Sequence, residues 1–328
     1  MQFTRRAALA SAAAAAAGSL SPLSISSSQA QTPAAAPAAA AGPTGVFRYK
    51  FGDGEIIQVY DGSRTFPIPE NFIVNLDKEK TAAAYEAQYM PKGQLTISFS
   101  PVVVKMGGKT IVIDTGNGLG AFEQSKGAVG NMRANMTAAG IDAKAVDIVV
   151  LSHFHGDHIN GLRNADGSLA FPNAEVKVPA TEWAFWSDEA NSAKTNATNK
   201  GNFANVKKIF DGIKPTPYDN GKEAAPGITA YATPGHTPGH TSLIVASGNK
   251  KVVVQGDVTN HPGIFMKNPG WHAMFDNDAG QSEETRRKFY DMAITEKLPI
   301  IGYHFPFPSM GYVEKDGTGY RLIQIHAV

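Results

Sequence analysis

The segment Ser152-His153-Phe154-His155-Gly156-Asp157-His158 constrains this chain more than any other. It follows Val146–Leu151, a run that is apolar except at Asp147 and reads as a buried strand. In extended backbone, residues two apart point the same way, so His153 and His155 can face one point together. Gly156 marks a bend, after which Asp157 and His158 can face a second point nearby. Ligand-type side chains at this density are costly to bury unless something neutralises them. A polar surface loop could carry the same residues, but it would not grow directly out of an apolar strand. The pattern supports a metal site.

Later strand-like segments end in the same way. Thr233-Pro234-Gly235-His236-Thr237-Pro238-Gly239-His240 follows Ile228–Ala232 and holds two histidines in a turn stiffened by Gly and Pro. Gln255-Gly256-Asp257 follows Lys251–Val254, and His304 follows Pro299–Tyr303. One such residue alone would read as a satisfied core group or a cap. Ligand types at one strand end after another do not. Cysteine is absent, so any metal is held by His, Asp or Glu, and no thiol nucleophile or disulfide scaffold is available. Nitrogen and oxygen donors suit Zn²⁺ and tolerate Mn²⁺, Fe²⁺ or Co²⁺.

Taken together, H-x-H-x-D-H, T-P-G-H-T-x-G-H, G-D and a late His resemble the metallo-β-lactamase superfamily, over nearly the whole chain from Phe47 to Ile325. The resemblance implies an α/β fold, a four-layer αβ/βα sandwich with its site at the loop-bearing edge between the sheets. It implies two divalent metal ions, Zn²⁺ first among the candidates. His153, His155 and His236 would hold one ion and Asp157, His158 and His304 the other, with Asp257 bridging. It makes Asp257 and Asp157 the catalytic carboxylates, Asp157 holding or passing a proton. His240 would stand behind the ligands. Asp114, in an Asp114-Thr115-Gly116 run, would support the metal loops; an aspartic-protease reading fails for want of a second copy. Two ions roughly 3.5–4 Å apart would share and ionise a water for attack on a C=O or P=O.

The coarse pattern agrees with two sheets packed together with helices outside. Phe47–Phe51 and Glu55–Tyr60 read as a hairpin, and Leu95–Lys105 with Lys109–Asp114 as a second. Helices are expected at Thr81–Tyr89, Gly127–Ala139, Thr181–Glu189, Asn202–Phe210 and Ser282–Glu296, and further strands at Ala174–Val178, Thr241–Ala246 and Tyr320–Ile325.

Residues 1–30 read as a cleaved export signal: Arg5-Arg6, an Ala-rich apolar run, then Ser28-Gln29-Ala30. The paired arginines suggest the twin-arginine route, with general secretion as the alternative. Residues 31–45 form an Ala/Pro-rich linker and 46–328 a single domain. The expectation is a periplasmic or secreted protein with no membrane attachment after cleavage. Lys plus Arg number 30 and Asp plus Glu 29, a net charge of +1, which argues against a nucleic-acid partner.

Within the superfamily, His155 stands where the oxygen-reducing diiron flavoproteins carry Glu. Small, nearly neutral esters remain: a lactone, an aryl ester or a phosphotriester. The alternatives are a β-lactamase, a glyoxalase-type thiolester hydrolase, a mononuclear iron persulfide dioxygenase, or a metal-binding protein without turnover. Phe51-Gly52-Asp53, Phe171-Pro172-Asn173-Ala174, the double T-P-G-H turn and the tail Gly311–Arg321 resemble the methyl parathion hydrolase group of exported organophosphate hydrolases and lactonases. That group implies a homodimer and an aromatic substrate pocket, with Trp186, Phe203 and Phe122 at the corresponding positions. The chain departs from the group over Thr259–Gly280, where His261 and His272 are further pocket candidates.

Overall fold

The computed structural model describes residues 45–325. The expected export signal and all but the last residue of the expected linker lie outside them. Among the described residues, no helix is long and apolar enough to cross a membrane.

The first half builds one mixed sheet. β1 (Val46–Phe51) and β2 (Gly54–Val59) form the first hairpin. The chain then leaves the sheet for β3 (Gly62–Pro67), α1 (Lys78–Glu86) and β4 (Gln94–Phe99), where β3 and β4 form a two-stranded sheet of their own. It returns through β5 (Val102–Met106) and β6 (Lys109–Ile113), followed by α2 (Gly118–Gln124) and α3 (Met132–Ala138). β7 (Ile148–Val150), α4 (Gly156–Ile159), β8 (Glu175–Pro179), α5 (Ala180–Trp186), α6 (Gly201–Ile209) and β9 (Thr216–Tyr218) complete it. The order is β1-β2-β5-β6-β7-β8-β9, parallel from β6 onward.

The second half builds the other seven-stranded sheet in sequence order. Its elements are β10 (Glu223–Ala225), β11 (Ile228–Ala232), β12 (Thr241–Ser247), β13 (Lys250–Val254), α7 (Ala279–Thr295), β14 (Ile300–Ile301), β15 (Met310–Asp316) and β16 (Gly319–Gln324). Only β13 and β14 pair in parallel.

Alternation along the strands fixes the layers. Ile56, Val102, Val104, Ile111 and Val150 join Leu243, Val245, Val252 and Val254 in a core between the sheets. The intervening Ile57, Val103, Val112 and Val149 pack instead against Met132, Met136, Trp186, Phe203 and Val206 of the helices outside. On the other sheet, Val253 and Ile300 pack against Phe289 and Tyr290 of α7. Both faces of each central strand are buried, so the strands read as continuous apolar runs. Helices, sheet, sheet and helix are the four layers expected.

Three local expectations need correction. Leu95–Lys105 is not one strand. It breaks at Ser100-Pro101, where proline lacks the ladder donor and its carbonyl accepts from Val59 N at 2.8 Å, so β4 and β5 belong to different sheets. The helix expected over Gly127–Ala139 begins only at Met132, because Gly127 and Gly130 both take φ 85° and Met132 N donates to Asp61. The strand expected over Pro299–Tyr303 keeps only Ile300 and Ile301 in the ladder.

Candidate metal centre

All seven expected ligands lie at strand ends on one edge of the molecule. β7 leads into extended backbone that carries His153 and His155. His155 is the residue before α4, and α4 opens with Gly156 and puts Asp157 and His158 in its first turn. His236 comes from the turn between β11 and β12, Asp257 follows β13, and His304 follows β14.

The T-P-G-H-T-P-G-H turn can sit here only because its glycines are bare. A Cβ at Gly239 would fall 2.1 Å from the Glu182 backbone nitrogen on α5, and one at Gly235 would fall 2.4 Å from the Ser282 nitrogen on α7. Glu182 fixes the turn further. Its buried carboxylate accepts from Phe154 N, Trp186 Nε1, Thr237 Oγ1 and Gly239 N, at 2.7–3.0 Å. One side chain thereby ties the His153/His155 segment to the His236 turn.

The ligand atoms form two groups, within each of which they lie no more than 4.8 Å apart: His153, His155, His236 and Asp257, and Asp157, His158 and His304. His155 Nδ1 stands 3.1 Å from His153 Nε2 and 2.8 Å from His236 Nε2. Asp257 reaches both groups. Its Oδ2 is 3.3 Å from His236 Nε2 and 2.9 Å from His304 Nε2, and its Oδ1 is 3.2 Å from His158 Nε2. Asp157 Oδ2 is 3.4 Å from His304 Nε2 and 3.5 Å from His158 Nε2.

The outward ring nitrogens show why these groups suit a cation. His158 Nδ1 donates to Asp114 Oδ2 at 2.8 Å, His236 Nδ1 to Asp276 Oδ1 at 2.9 Å and His304 Nδ1 to the Ser98 carbonyl at 2.9 Å. Ser152 Oγ donates to Asp114, so it accepts from His153 Nδ1 at 3.0 Å. With those protons outside, each neutral ring aims an unprotonated Nε2 inward. Converging lone pairs and carboxylates with no donor between them are stable only around positive charge. Nitrogen and carboxylate oxygen in this set match a zinc-type ion.

Without such an ion the cluster must keep protons. Burial lowers His153 and His155, and neighbouring imidazoles push them further below the ordinary histidine value. Burial also opposes charge on His236, yet hydrogen bonds to Asp257 and Asp276 raise it to about 9. His158 is likewise raised against burial, by Asp257, Asp157 and Asp114. Burial would raise Asp257, but His304 and His158 hold it well below the usual carboxylate range.

His240 is not among the ligand groups. Its Nε2 accepts from the Asp257 backbone N–H at 2.8 Å, while its Nδ1 lies 3.0 Å from the Thr233 carbonyl and donates to it. Burial, first of all, drops its pKa to about 3, so the ring stays neutral and anchors the Asp257 loop. Asp114 orients both His158 and His153. It does so at φ 58°, a left-handed backbone uncommon for a residue other than glycine.

A cavity of about 740 Å³ opens over the ligands. Phe66, Ile97 and Phe99 from the paired strands β3 and β4 line one part, with Phe275. Asn160, Asn199, Asn202, Asn205 and Asn260 line another.

The expected aromatic pocket residues are not among the lining. Trp186 is 2% exposed, donates its indole N–H to Glu182 and packs on Phe203 at 4.7 Å. Both belong to the core behind His155, because the buried carboxylate draws the indole inward. Phe122 packs over the Gly127–Gly130 turn instead. His261 is buried with its ring edge-on to Tyr85 at 5.6 Å, and His272 bonds Glu283 at 3.0 Å; neither lines the cavity.

Sequence reasoning missed Glu182, Asp276 and Asn260, each an isolated polar residue without a local pattern. The repeat of asparagine at every third position from Asn196 to Asn205 was the one available signal for the polar wall.

The family model described as metallo-beta-lactamase superfamily matches residues 100–294, more than half of the chain. A probable metallo-hydrolase of Mycobacterium bovis is 30% identical over 125 residues, 36% of this chain and 38% of that protein, so the chain spans well under half of that relative's length. An N-acyl homoserine lactonase from a Bacillus species is 28% identical over 153 residues, 47% of this chain and 53% of the lactonase. Among solved structures, the beta lactamase superfamily hydrolase AbOPH superposes with a TM-score of 0.78 at 27% identity, covering 87% of this chain and 98% of that one. AidC, described as a dizinc quorum-quenching lactonase, shares the fold with a TM-score of 0.80 at 24% identity, over 87% and 98% of the two chains.

Proposed function

The chain belongs to the metallo-beta-lactamase superfamily, and from that premise we propose that it is a two-metal hydrolase of small esters, with lactones as its leading substrates. The observation that carries this is Asp257, whose carboxylate reaches both ligand groups, Oδ2 standing near His236 of one and His304 of the other and Oδ1 near His158. A carboxylate so placed can join two ions, while three further side chains complete each group. The Bacillus lactonase among the relatives supports a ring ester as substrate.

When bound, the metal pair supplies a Lewis acid for the substrate carbonyl and a water acidified toward neutral pH. His153, His155 and His236 would hold one ion, and Asp157, His158 and His304 the other. Asp114, Asp276 and the Ser98 carbonyl keep ring protons on the outward nitrogens, so the inward nitrogens stay free to bind. Asp157 has the more accessible carboxylate of the two, its side chain 23% exposed against 4% for Asp257. Its Oδ2 can therefore take a proton from entering water and pass it to the departing oxygen. Phe99 stands edge-on to His304 at 5.3 Å and Phe275 to His236 at 5.5 Å, and these rings keep bulk water from the ligands. We further infer from Arg5-Arg6 and Ser28-Gln29-Ala30 that the protein is exported.

The test is a panel of one lactone, one aryl ester, one phosphotriester and one β-lactam, run before chelation, after chelation and after metal is restored. Metal-dependent turnover of the lactone or aryl ester is the expected result. Turnover of the β-lactam alone would move the assignment to that branch, and turnover of none would defeat the hydrolase reading.

A further inference from the structure

The strands that carry ligands at one end border a second cavity at the other. β13 begins at Lys250 and leads to Asp257, and β14 lies between Leu298 and His304. Lys250 and Leu298 both line a groove of about 760 Å³, whose lining includes none of the seven ligands. That volume is in the range of small-molecule sites. β1 is the edge strand of its sheet, and beyond it the core between the sheets reaches the groove. Phe51, Val252 and Met310 belong to that core or pack on it, and with Leu298 they form an apolar floor. Tyr312, 44% exposed, extends it.

The groove is charged at one end. β13 and β14 run parallel with Val253 opposite Ile300, which brings Lys250 and Lys297 to the same end. Asp53 N donates to Ser247 Oγ at 3.2 Å, and Ser247 pairs with Lys250, so the end of β1 brings Lys50 there too. Lys50, Lys250, Lys251 and Lys297 all line the groove, and among the described residues none of them forms an ion pair. Arg48 lines it as well but is held by Glu55 at 2.8 Å. Glu296 is the one acid of the lining, while the whole chain carries only +1, so the positive excess is local. Alternation turns Lys250 to the groove side, because it shares the parity of Val252 in the core between the sheets. Met310 marks the other end. It pairs with Ile301, four residues along the chain from Lys297, which is roughly 13 Å of strand.

A long groove with ammonium groups at one end and an apolar floor matches a linear molecule with an anionic head and a hydrocarbon tail. A neutral lipid would leave the lysines uncompensated, and a polyanion such as a nucleic acid would leave the floor uncovered. We propose that the groove binds a free fatty acid, its carboxylate at Lys250 and Lys297 and its chain over Phe51, Leu298 and Met310. This site is separate from the metal centre and does not rest on the hydrolase reading.

Calorimetric titration of the full-length, metal-loaded protein with monomeric octanoate, decanoate and laurate tests this. The expected result is one laurate per chain at the groove, with affinity rising about fourfold per added methylene. Lys250→Glu combined with Lys297→Glu should weaken laurate about tenfold. Dodecyltrimethylammonium, with the same tail and the opposite charge, should bind far more weakly than laurate. Chelation should leave the groove site intact. If the double variant fails to fold in urea titration, Lys250→Glu alone is read in the same assay. Laurate affinity unchanged by the charge reversals, or matched by the cationic amphiphile, overturns the proposal. Laurate binding that vanishes on chelation places the acid at the metal centre and overturns it too. Phosphatidylglycerol vesicles bound through these lysines without affinity for monomeric laurate would make the groove a membrane face. A dimer dissociated by the charge reversals, again without laurate affinity, would make it an interface between copies. Either result overturns the fatty-acid site.

Discussion

Asp114 Oδ2 accepts a hydrogen bond from His158 Nδ1 at 2.8 Å, and through the Ser152 hydroxyl the same carboxylate sets the ring of His153. One buried side chain thus orients a histidine in each ligand group. Asparagine tolerates the left-handed backbone that Asp114 adopts, so Asp114→Asn preserves shape while removing the charge. Metal affinity should fall roughly 10- to 100-fold, as for other partners of ligand histidines. Competition with a coloured chelator measures it, and unchanged affinity would show that Asp114 only packs.

Asp276 holds His236 Nδ1 at 2.9 Å and lies 3.6 Å from the buried Arg286 guanidinium. Asp276→Ala removes both relationships. Arg286 keeps its bonds to the Val258, Pro269 and Trp271 carbonyls, so the stability loss should sit near the lower bound for a broken buried pair, about 3 kcal/mol. Urea unfolding reads the stability, and the same chelator competition should show weakened metal binding.

His261 gives a pH signature away from the ligands. Burial lowers its pKa to about 4 from the ordinary 6.5. The unfolded chain therefore takes up this proton first as pH falls, and stability is lost from about pH 6.5 down to about pH 4. The contribution is of order 3 kcal/mol across that window. His261→Phe should flatten the acid limb of a stability-versus-pH curve relative to wild type. Parallel curves would contradict the assignment.

Trp186 and Phe66 separate core from cavity. Trp186→Phe forfeits the bond to Glu182 and should cost about 1–3 kcal/mol in unfolding while leaving KM nearly unchanged. Phe66→Ala should raise KM for a hydrocarbon ester several-fold at little cost in stability. The opposite pattern would return Trp186 to the substrate pocket.

Candidate ligands were legible because histidines two apart in extended chain and ligand types at successive strand ends stand out in spacing, while their division between two ions came from the family resemblance. The layers were legible because strands buried on both faces become unbroken apolar runs such as Val102–Val104 and Val252–Val254. Glu182 and Asp276 were not legible, since they act across 57 and 40 residues on Gly239 and His236, and one acid in a sequence announces no partner. The aromatic pocket was misplaced for a related reason. Core and pocket aromatics have the same composition, and only the buried Glu182 beside Trp186 shows which way that indole turns. The break at Ser100-Pro101 depended on the Val59 backbone N–H, which comes from a strand far earlier in the chain.

The central claim is that Asp257 joins two ions, and counting the ions bound per folded chain by native mass spectrometry during Zn²⁺ titration tests it most directly. The account predicts two equivalents on the wild-type protein, and loss of at least one in Asp257→Ala together with loss of turnover. A single tight equivalent on a fully active wild type, unaltered in Asp257→Ala, would contradict it.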